Sequence, residues 1–204
     1  KYSEDAMLMG AEMAYTAKDY EKALHIYKQL KDKAASMERR QLAKTGMLRS
    51  AHMLGNEEEI IFTATDLLAD TKLAPELSNE AHYYRAKAYL DAGKTDGAME
   101  DLKVLAKDTR NVYGAEAKYK VAQIYFDGGQ TDKAEQEVLN YIEVSTPHTY
   151  WLARSFVLLA DVYMKLGRNL DAKQYLLSLK QNYQADDDIA GMIESRLEKL
   201  KTEN

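Results

Sequence analysis

Residues 86–98 read AKAYLDAGKTDGA, residues 122–134 read AQIYFDGGQTDKA and residues 160–172 read ADVYMKLGRNLDA. Each stretch places alanine, tyrosine, glycine and alanine at steps of three, four and five: Ala86, Tyr89, Gly93, Ala98; Ala122, Tyr125, Gly129, Ala134; Ala160, Tyr163, Gly167, Ala172. The frames recur at offsets of 36 and 38 residues, and moving upstream by 38 and then 37 meets weaker copies, Leu48, Ala51, Gly55, Ile60 and Ala11, Ala14, Lys18, Ala23. A period between about 20 and 50 residues marks a solenoid or a propeller, in which each unit buries its apolar face only against its neighbours. What such a chain offers is surface for binding.

Composition narrows the choice to helices. Proline occurs only at Pro75 and Pro147, between candidate helices, while Ala, Leu, Lys, Glu and Met fill the segments between glycines, a composition that disfavours long strands. The 204 residues carry a formal net charge of −5 with the signs interspersed, so there is no basic stripe for nucleic acid. The absence of cysteine removes a disulfide framework and thiolate metal sites but leaves the redox compartment open. No run of 18 apolar residues exists, so no membrane insertion by this segment is expected. The chain opens at Lys1 directly in a helical pattern, which predicts the C-terminal part of a longer protein.

Each frame translates into two antiparallel helices. Around the 122–134 frame, Tyr119, Val121, Ala122, Tyr125 and Phe126 recur at helical spacing; Gly128 and Gly129 then stop the helix, and Gly129 suits the left-handed position after its end. Thr131 is the expected cap of the following helix, whose buried stripe is Ala134, Val138 and Tyr141. Thr146 with Pro147 at the first helical position is expected to open the fifth hairpin, Asn169 to cap its second helix, and Asn56 with Glu59 to form a variant capping box. The expected helices cover 4–17, 20–34, 37–54, 57–70, 75–92, 96–108, 112–127, 132–144, 147–166, 170–183 and 187–201. The frame alanines sit where paired helices must approach closely, and Tyr89, Tyr125 and Tyr163 have the reach to pack towards the next unit.

This pattern resembles the tetratricopeptide repeat (TPR), strongly over 79–180 and weakly over 4–70. The resemblance implies an all-α fold: an α-α superhelix of five helical hairpins plus a C-terminal capping helix. The whole chain, 1–204, reads as one array with repeats at 4–35, 36–72, 74–110, 111–145 and 146–184 and the cap at 186–201. The period exceeds the family norm of about 34 residues, and the proline usual near a repeat's end is mostly missing. Long, tyrosine-rich units are similar to those of bacterial cell-envelope assembly proteins, which leans the expected location towards the periplasm or envelope.

Chemistry motifs are scarce. His25, His52, His82 and His148 have no partner at i+4 and no cysteine, so no metal or cofactor is expected. No nucleophile-elbow, P-loop or dinucleotide fingerprint is present, and the chain is expected not to be an enzyme. Asp186 to Asp188 lack the alternating spacing of a calcium loop and read as a helix start. Trp151 reads as inter-repeat core before it reads as a stacking ring.

Family geometry puts the first helix of each hairpin on the concave wall. The face adjoining the core stripe carries Leu8, Met9, Glu12 and Tyr15; Arg49 and His52; Tyr83, Tyr84, Lys87 and Leu90; Tyr119, Lys120, Gln123 and Phe126; and Val157, Leu158, Asp161 and Met164. From it, Arg49, His52, Tyr83, Tyr84, Lys87, Tyr119, Lys120, Gln123, Phe126, Leu158 and Asp161 form the expected partner-binding set, rings supplying area and cations orientation. The alternative at these positions is that neighbouring repeats crowd the rings into core. The family's clamp for a C-terminal carboxylate needs Lys and Asn where this chain has Leu8 and Glu12, so that mode is not implied. The function expected is a non-catalytic scaffold that holds a protein or peptide in the concave groove. The alternatives are a docking arm of a larger enzyme or envelope-assembly protein, and a self-associating homo-oligomer.

Overall fold

The computed structural model describes residues 2–144 and 146–202; the expected repeat boundary at Ser145 lies outside them. The described residues form eleven helices and no strand. These are α1 (Tyr2–Thr16), α2 (Tyr20–Lys33), α3 (Met37–Leu54), α4 (Glu57–Leu68), α5 (Pro75–Asp91), α6 (Thr95–Leu105), α7 (Val112–Asp127), α8 (Thr131–Glu143), α9 (Thr149–Lys165), α10 (Asn169–Asn182) and α11 (Ile189–Thr202). The chain divides into two compact units, Lys1–Asp101 and Leu102–Asn204.

In the first unit, consecutive helices pack pairwise from α1 to α5. Their cores are Ala11, Ala23, Leu30 and Met47 at one end and Leu48, Ile60, Leu67 and Ala88 at the other. In the second unit, α7 to α10 pack in the same sequential way over Val138, Leu159, Val162 and Leu176. There Ile189, Ile193 and Leu200 of α11 close the end of the core, as a terminal cap must.

The frame is legible in the backbone. Its third position has positive φ in all five copies: Lys18 (62°), Gly55 (64°), Gly93 (71°), Gly129 (76°) and Gly167 (73°). The next residue's amide then donates back to the carbonyl of the frame's second residue: Asp19 to Ala14, Asn56 to Ala51, Lys94 to Tyr89, Gln130 to Tyr125 and Arg168 to Tyr163, at 2.7 to 3.0 Å. That bond satisfies a carbonyl orphaned at the helix end. After the third to fifth frames the next helix starts one residue earlier than expected, so Gln130 and Arg168 occupy the cap positions expected for Thr131 and Asn169. Asn56 does cap α4, accepting from the Glu59 amide at 3.1 Å.

Lys18 alone holds this turn with a side chain attached. Left-handed backbone costs an L-residue about 1–2 kcal/mol, partly offset by the ~0.5–1 kcal/mol by which glycine loosens the unfolded chain. Lys18→Gly should therefore stabilise the first unit by about 0.5–1 kcal/mol, seen as a higher urea midpoint with unchanged slope; an unchanged or lower midpoint contradicts it.

Three expectations need correction. Thr146 does not cap α9. Its hydroxyl donates to the Thr109 carbonyl (2.8 Å) and accepts from the His148 amide (3.1 Å), so α9 begins at Thr149 with His148 as N-cap. α6 ends at Leu105, because the chain turns where the Asp108 carboxylate takes the amide and guanidinium of Arg110. The frame tyrosines also pack on the second helix of their own hairpin: Tyr89 lies against Gly97, and Tyr163 lies 5.6 Å from the Tyr175 ring and beneath the Arg168 guanidinium, 4.2 Å away.

A further regularity lies four residues before the frame's first position, where each of four hairpins ties its helices together, by an ion pair in three and by paired rings in the fourth. Lys44 reaches Asp70 (2.8 Å) and Asp66 (3.1 Å); His82 Nδ1 meets Asp101 (2.7 Å); Lys118 meets Glu137 (3.1 Å); Phe156 and Tyr175 pair their rings at 6.1 Å. The Asp101 tie is the most buried. Arg85 also grips that carboxylate with two nitrogens, at 2.9 and 2.7 Å, and donates to the Thr65 hydroxyl.

Candidate functional site

In the first unit α1, α3 and α5 enclose a hollow of about 430 Å³ lined by Glu12, Tyr15, Glu38, Gln41, Leu42, Thr45, Arg49 and Leu77, with Tyr27 of α2 at its base. Its depth follows from one missing side chain. Gly46 is buried in the middle of α3, and a Cβ placed there would fall 2.4 Å from the Tyr27 ring. Glycine costs about 1 kcal/mol in a helix interior; here it lets that ring slide under α3.

Arg49 is fixed by a two-point bond to Glu80, at 2.6 and 2.9 Å, which raises its pKa against the opposing pull of burial. Its charge is therefore answered within the unit. Glu12 and Glu38 make no ion pair among the described residues, so the rim carries two open carboxylates. Burial pushes the Tyr15 and Tyr27 hydroxyls above the usual phenol range, with Glu12 adding to the effect at Tyr27. Both stay protonated at neutral pH, able to donate and accept.

Beyond the hollow, His52 stacks on Tyr84 with ring centroids 4.2 Å apart; burial, then Lys87, lowers its pKa, so it is neutral above the ordinary imidazole range. Lys87 lies over the Tyr83 ring at 5.4 Å. Of the expected set, the first unit thus brings Arg49 to the hollow and gathers His52, Tyr83, Tyr84 and Lys87 into a neighbouring aromatic group.

The second unit departs further from expectation. Tyr119 is buried, as are Val157 and Leu158, so these residues form core where an exposed face was expected. The cause at Tyr119 is α9: Trp151 lies 5.6 Å from its ring, and the Arg154 guanidinium lies 5.1 Å from it and donates to its hydroxyl. That hydroxyl donates to Gln123, whose amide donates to Asp127. Burial opposes the charge of Arg154, but its bonds to the Tyr150 and Tyr119 hydroxyls outweigh burial and raise its pKa.

The remaining polar members of the set are likewise engaged. Lys120 pairs with Glu116 at 3.1 Å, and Asp161 takes two bonds from Arg196 of α11, at 3.0 and 2.9 Å. Phe126 lies beneath Lys165, 5.5 Å away. Of the cations expected to orient a partner, Arg49 and Lys120 are paired internally, while Lys87 lies over the Tyr83 ring without an ion pair among the described residues. Sequence reasoning missed Tyr27, Glu38, Gln41, Leu42, Thr45 and Leu77. The available signal was Gly46, since an isolated glycine inside a helical pattern marks a close approach.

A cleft of about 640 Å³ in the second unit lies between α6, α7 and α8, lined by Lys103, Lys107, Arg110, Lys118, Tyr125 and Glu137 among others. Its cations Lys118 and Arg110 are paired with Glu137 and Asp108. Among the described residues no group of three or more His, Asp or Glu side chains is placed to hold a metal ion, and no helix is long and apolar enough to cross a membrane.

Sequence profiles of the tetratricopeptide repeat match residues 80–108 and 153–181. Among solved structures, MamA aligns over 88% of this chain and 91% of its own at 17% identity and a TM-score of 0.69. A tetratricopeptide repeat protein from Parabacteroides merdae ATCC 43184 aligns over 99% and 93% at 15% identity and a TM-score of 0.60. The repeats of a Podosopora anserina putative kinesin light chain align over 89% and 95% at 17% identity and 0.60. No curated protein sequence matches the chain significantly. At these identities the likeness is one of fold: all-α, with helices paired in sequence.

Proposed function

The chain is a tetratricopeptide repeat protein, and from that premise we propose that it is a non-catalytic scaffold whose first unit holds a peptide segment of a protein partner in the hollow between α1, α3 and α5. Repeat arrays of this kind typically mediate protein–protein interactions, and a wall of first helices is the surface that packing leaves over. The observation that carries the reading is the hollow itself. It combines the edges of Tyr15 and Tyr27, the apolar Leu42 and Leu77, and the polar Gln41 and Thr45, the mixture of area and donors found at the centre of protein interfaces.

Leu42 is 42% exposed, so a polar replacement there leaves the core untouched. A photo-crosslinking side chain in place of Leu42 should capture a partner from the native source, while the same group at Leu170, 71% exposed on α10, should not. Once the partner is made recombinantly, Leu42→Asn should weaken its binding at least tenfold, as expected for an interface anchor worth more than about 1.4 kcal/mol, with the melting temperature unchanged. Undiminished affinity would place the interface elsewhere.

A further inference from the structure

Three observations about the hollow, taken together, say what kind of side chain it receives. First, its open charge is negative. Glu12 on α1 and Glu38 on α3 line it without ion pairs among the described residues, and the one lining cation, Arg49, is held by Glu80. Second, Tyr27 is only 7% exposed, and its hydroxyl makes no hydrogen bond among the described residues. Tyr27 lines the hollow together with Glu12, Arg49 and Tyr15, so a ligand group seated there can reach its hydroxyl. Third, Leu42 and Leu77 add an apolar side to the same space.

An acidic rim, an unanswered hydroxyl at the base and an apolar flank match a side chain with an aliphatic stem and a cationic, donor-only head. We propose that the segment bound in the hollow presents a lysine or arginine side chain. Its stem lies along Leu42 and Leu77, and its cation donates to the Glu12 and Glu38 carboxylates and to the Tyr27 hydroxyl oxygen. An acidic or phosphorylated side chain would meet two like charges at the rim, and an apolar one would leave both carboxylates and the hydroxyl desolvated and unpaired. The inference rests on the hollow being the partner site.

The test keeps the two apart. A random dodecapeptide library displayed on phage is selected on the folded chain, and the recovered peptides are titrated by calorimetry and mapped by amide chemical shifts. The expected result is enrichment in Lys or Arg, shifts centred on Thr45, Gly46 and Tyr27, and at least tenfold weaker binding when the basic residue is replaced by norleucine. Glu12→Gln with Glu38→Gln should weaken binding by at least the same factor. Glu57→Gln with Glu58→Gln, at the exposed start of α4, should change it less than twofold. Arg-to-Lys exchange in the peptide distinguishes a forked from a single contact.

Peptides that map to the hollow without basic enrichment, or that ignore the Glu12 and Glu38 changes, overturn this inference and leave the scaffold site standing. Equal weakening by the Glu57 and Glu58 pair also overturns it, showing only a general field. Shifts centred away from the hollow defeat the site and the inference together. An unchanged melting temperature for each variant confirms that binding, and not folding, is read.

Discussion

Asp101→Asn is expected to cost the first unit about 3–5 kcal/mol, the range for breaking a buried charge pair by removing one partner. The carboxylate's side chain is 2% exposed and accepts from His82 and from two nitrogens of Arg85. The amide keeps the shape but leaves the guanidinium of Arg85 facing a neutral group. Urea unfolding of the full chain at pH 7, followed by circular dichroism, reads the loss; a change below about 1 kcal/mol would show that the pair is no better than an exposed one. Burial acts to raise the pKa of Asp101, but the bonds and charges of His82 and Arg85 outweigh burial and leave it below the ordinary value. A carboxylate lowered in the folded state contributes stability that is fully present above its unfolded pKa of about 3.9 and is lost as pH falls through the folded value. The gap between wild type and Asp101→Asn should therefore close as the pH falls below about 4. A gap that widens there has the wrong sign.

Gly114→Ala should be nearly as damaging to the second unit, and by a different route. A Cβ at this position would lie 1.9 Å from the Asp108 carbonyl oxygen and 2.7 Å from that of Leu105. Both are backbone, so no side chain can swing aside. The Gly114 amide also donates the capping bond to Asn111 Oδ1 at 2.8 Å, and any retreat of α7 stretches it. The expected cost is about 3 kcal/mol, the upper end of the overpacking range, with a melting temperature lower by about 6–12 °C for a chain of this size. Gly191→Ala is the control, since nothing lies within 4 Å of a Cβ there and alanine favours the helix by about 1 kcal/mol. Equal behaviour of the two variants would refute the account.

The helices and their pairing were legible because they depend on local chemistry repeated five times. A left-handed turn favours glycine, and the frame puts one at four of its five turns, with Lys18 the exception inside the frame and Lys72 a left-handed residue outside it. The site was only partly legible, because exposure is decided by what the neighbouring helix brings, and the frame says nothing of that. Tyr83 and Tyr119 occupy equivalent places in the sequence, yet Tyr83 is half-buried while Trp151 and Arg154 bury Tyr119. Arg49 and Lys120 read as cations free to orient a partner, but Glu80 and Glu116 had already claimed them. The caps at Thr131 and Asn169 failed for the same kind of reason: α8 and α10 begin directly after the backbone bond across the turn, at Gln130 and Arg168, whereas Asn56 caps α4 as expected.

The ties four residues before the frame give a repetitive chain a set of address labels. Helices built on one frame can exchange partners during folding, because their small frame residues fit almost any neighbour. The tie positions do not fit any neighbour. In the first unit, α5 paired with α2 would set His82 and Arg85 away from Asp101, and α3 paired with α6 would leave Lys44 without Asp66 and Asp70. In the second unit, swapping α7 and α9 would set Phe156 against Glu137 and Lys118 against Tyr175. Each mismatch strands a charge in a closed seam, and discrimination of this kind comes from penalising the wrong pair as much as from rewarding the right one. Misassembly is the characteristic failure of repeat proteins, and here the ties on four of the hairpins work against it.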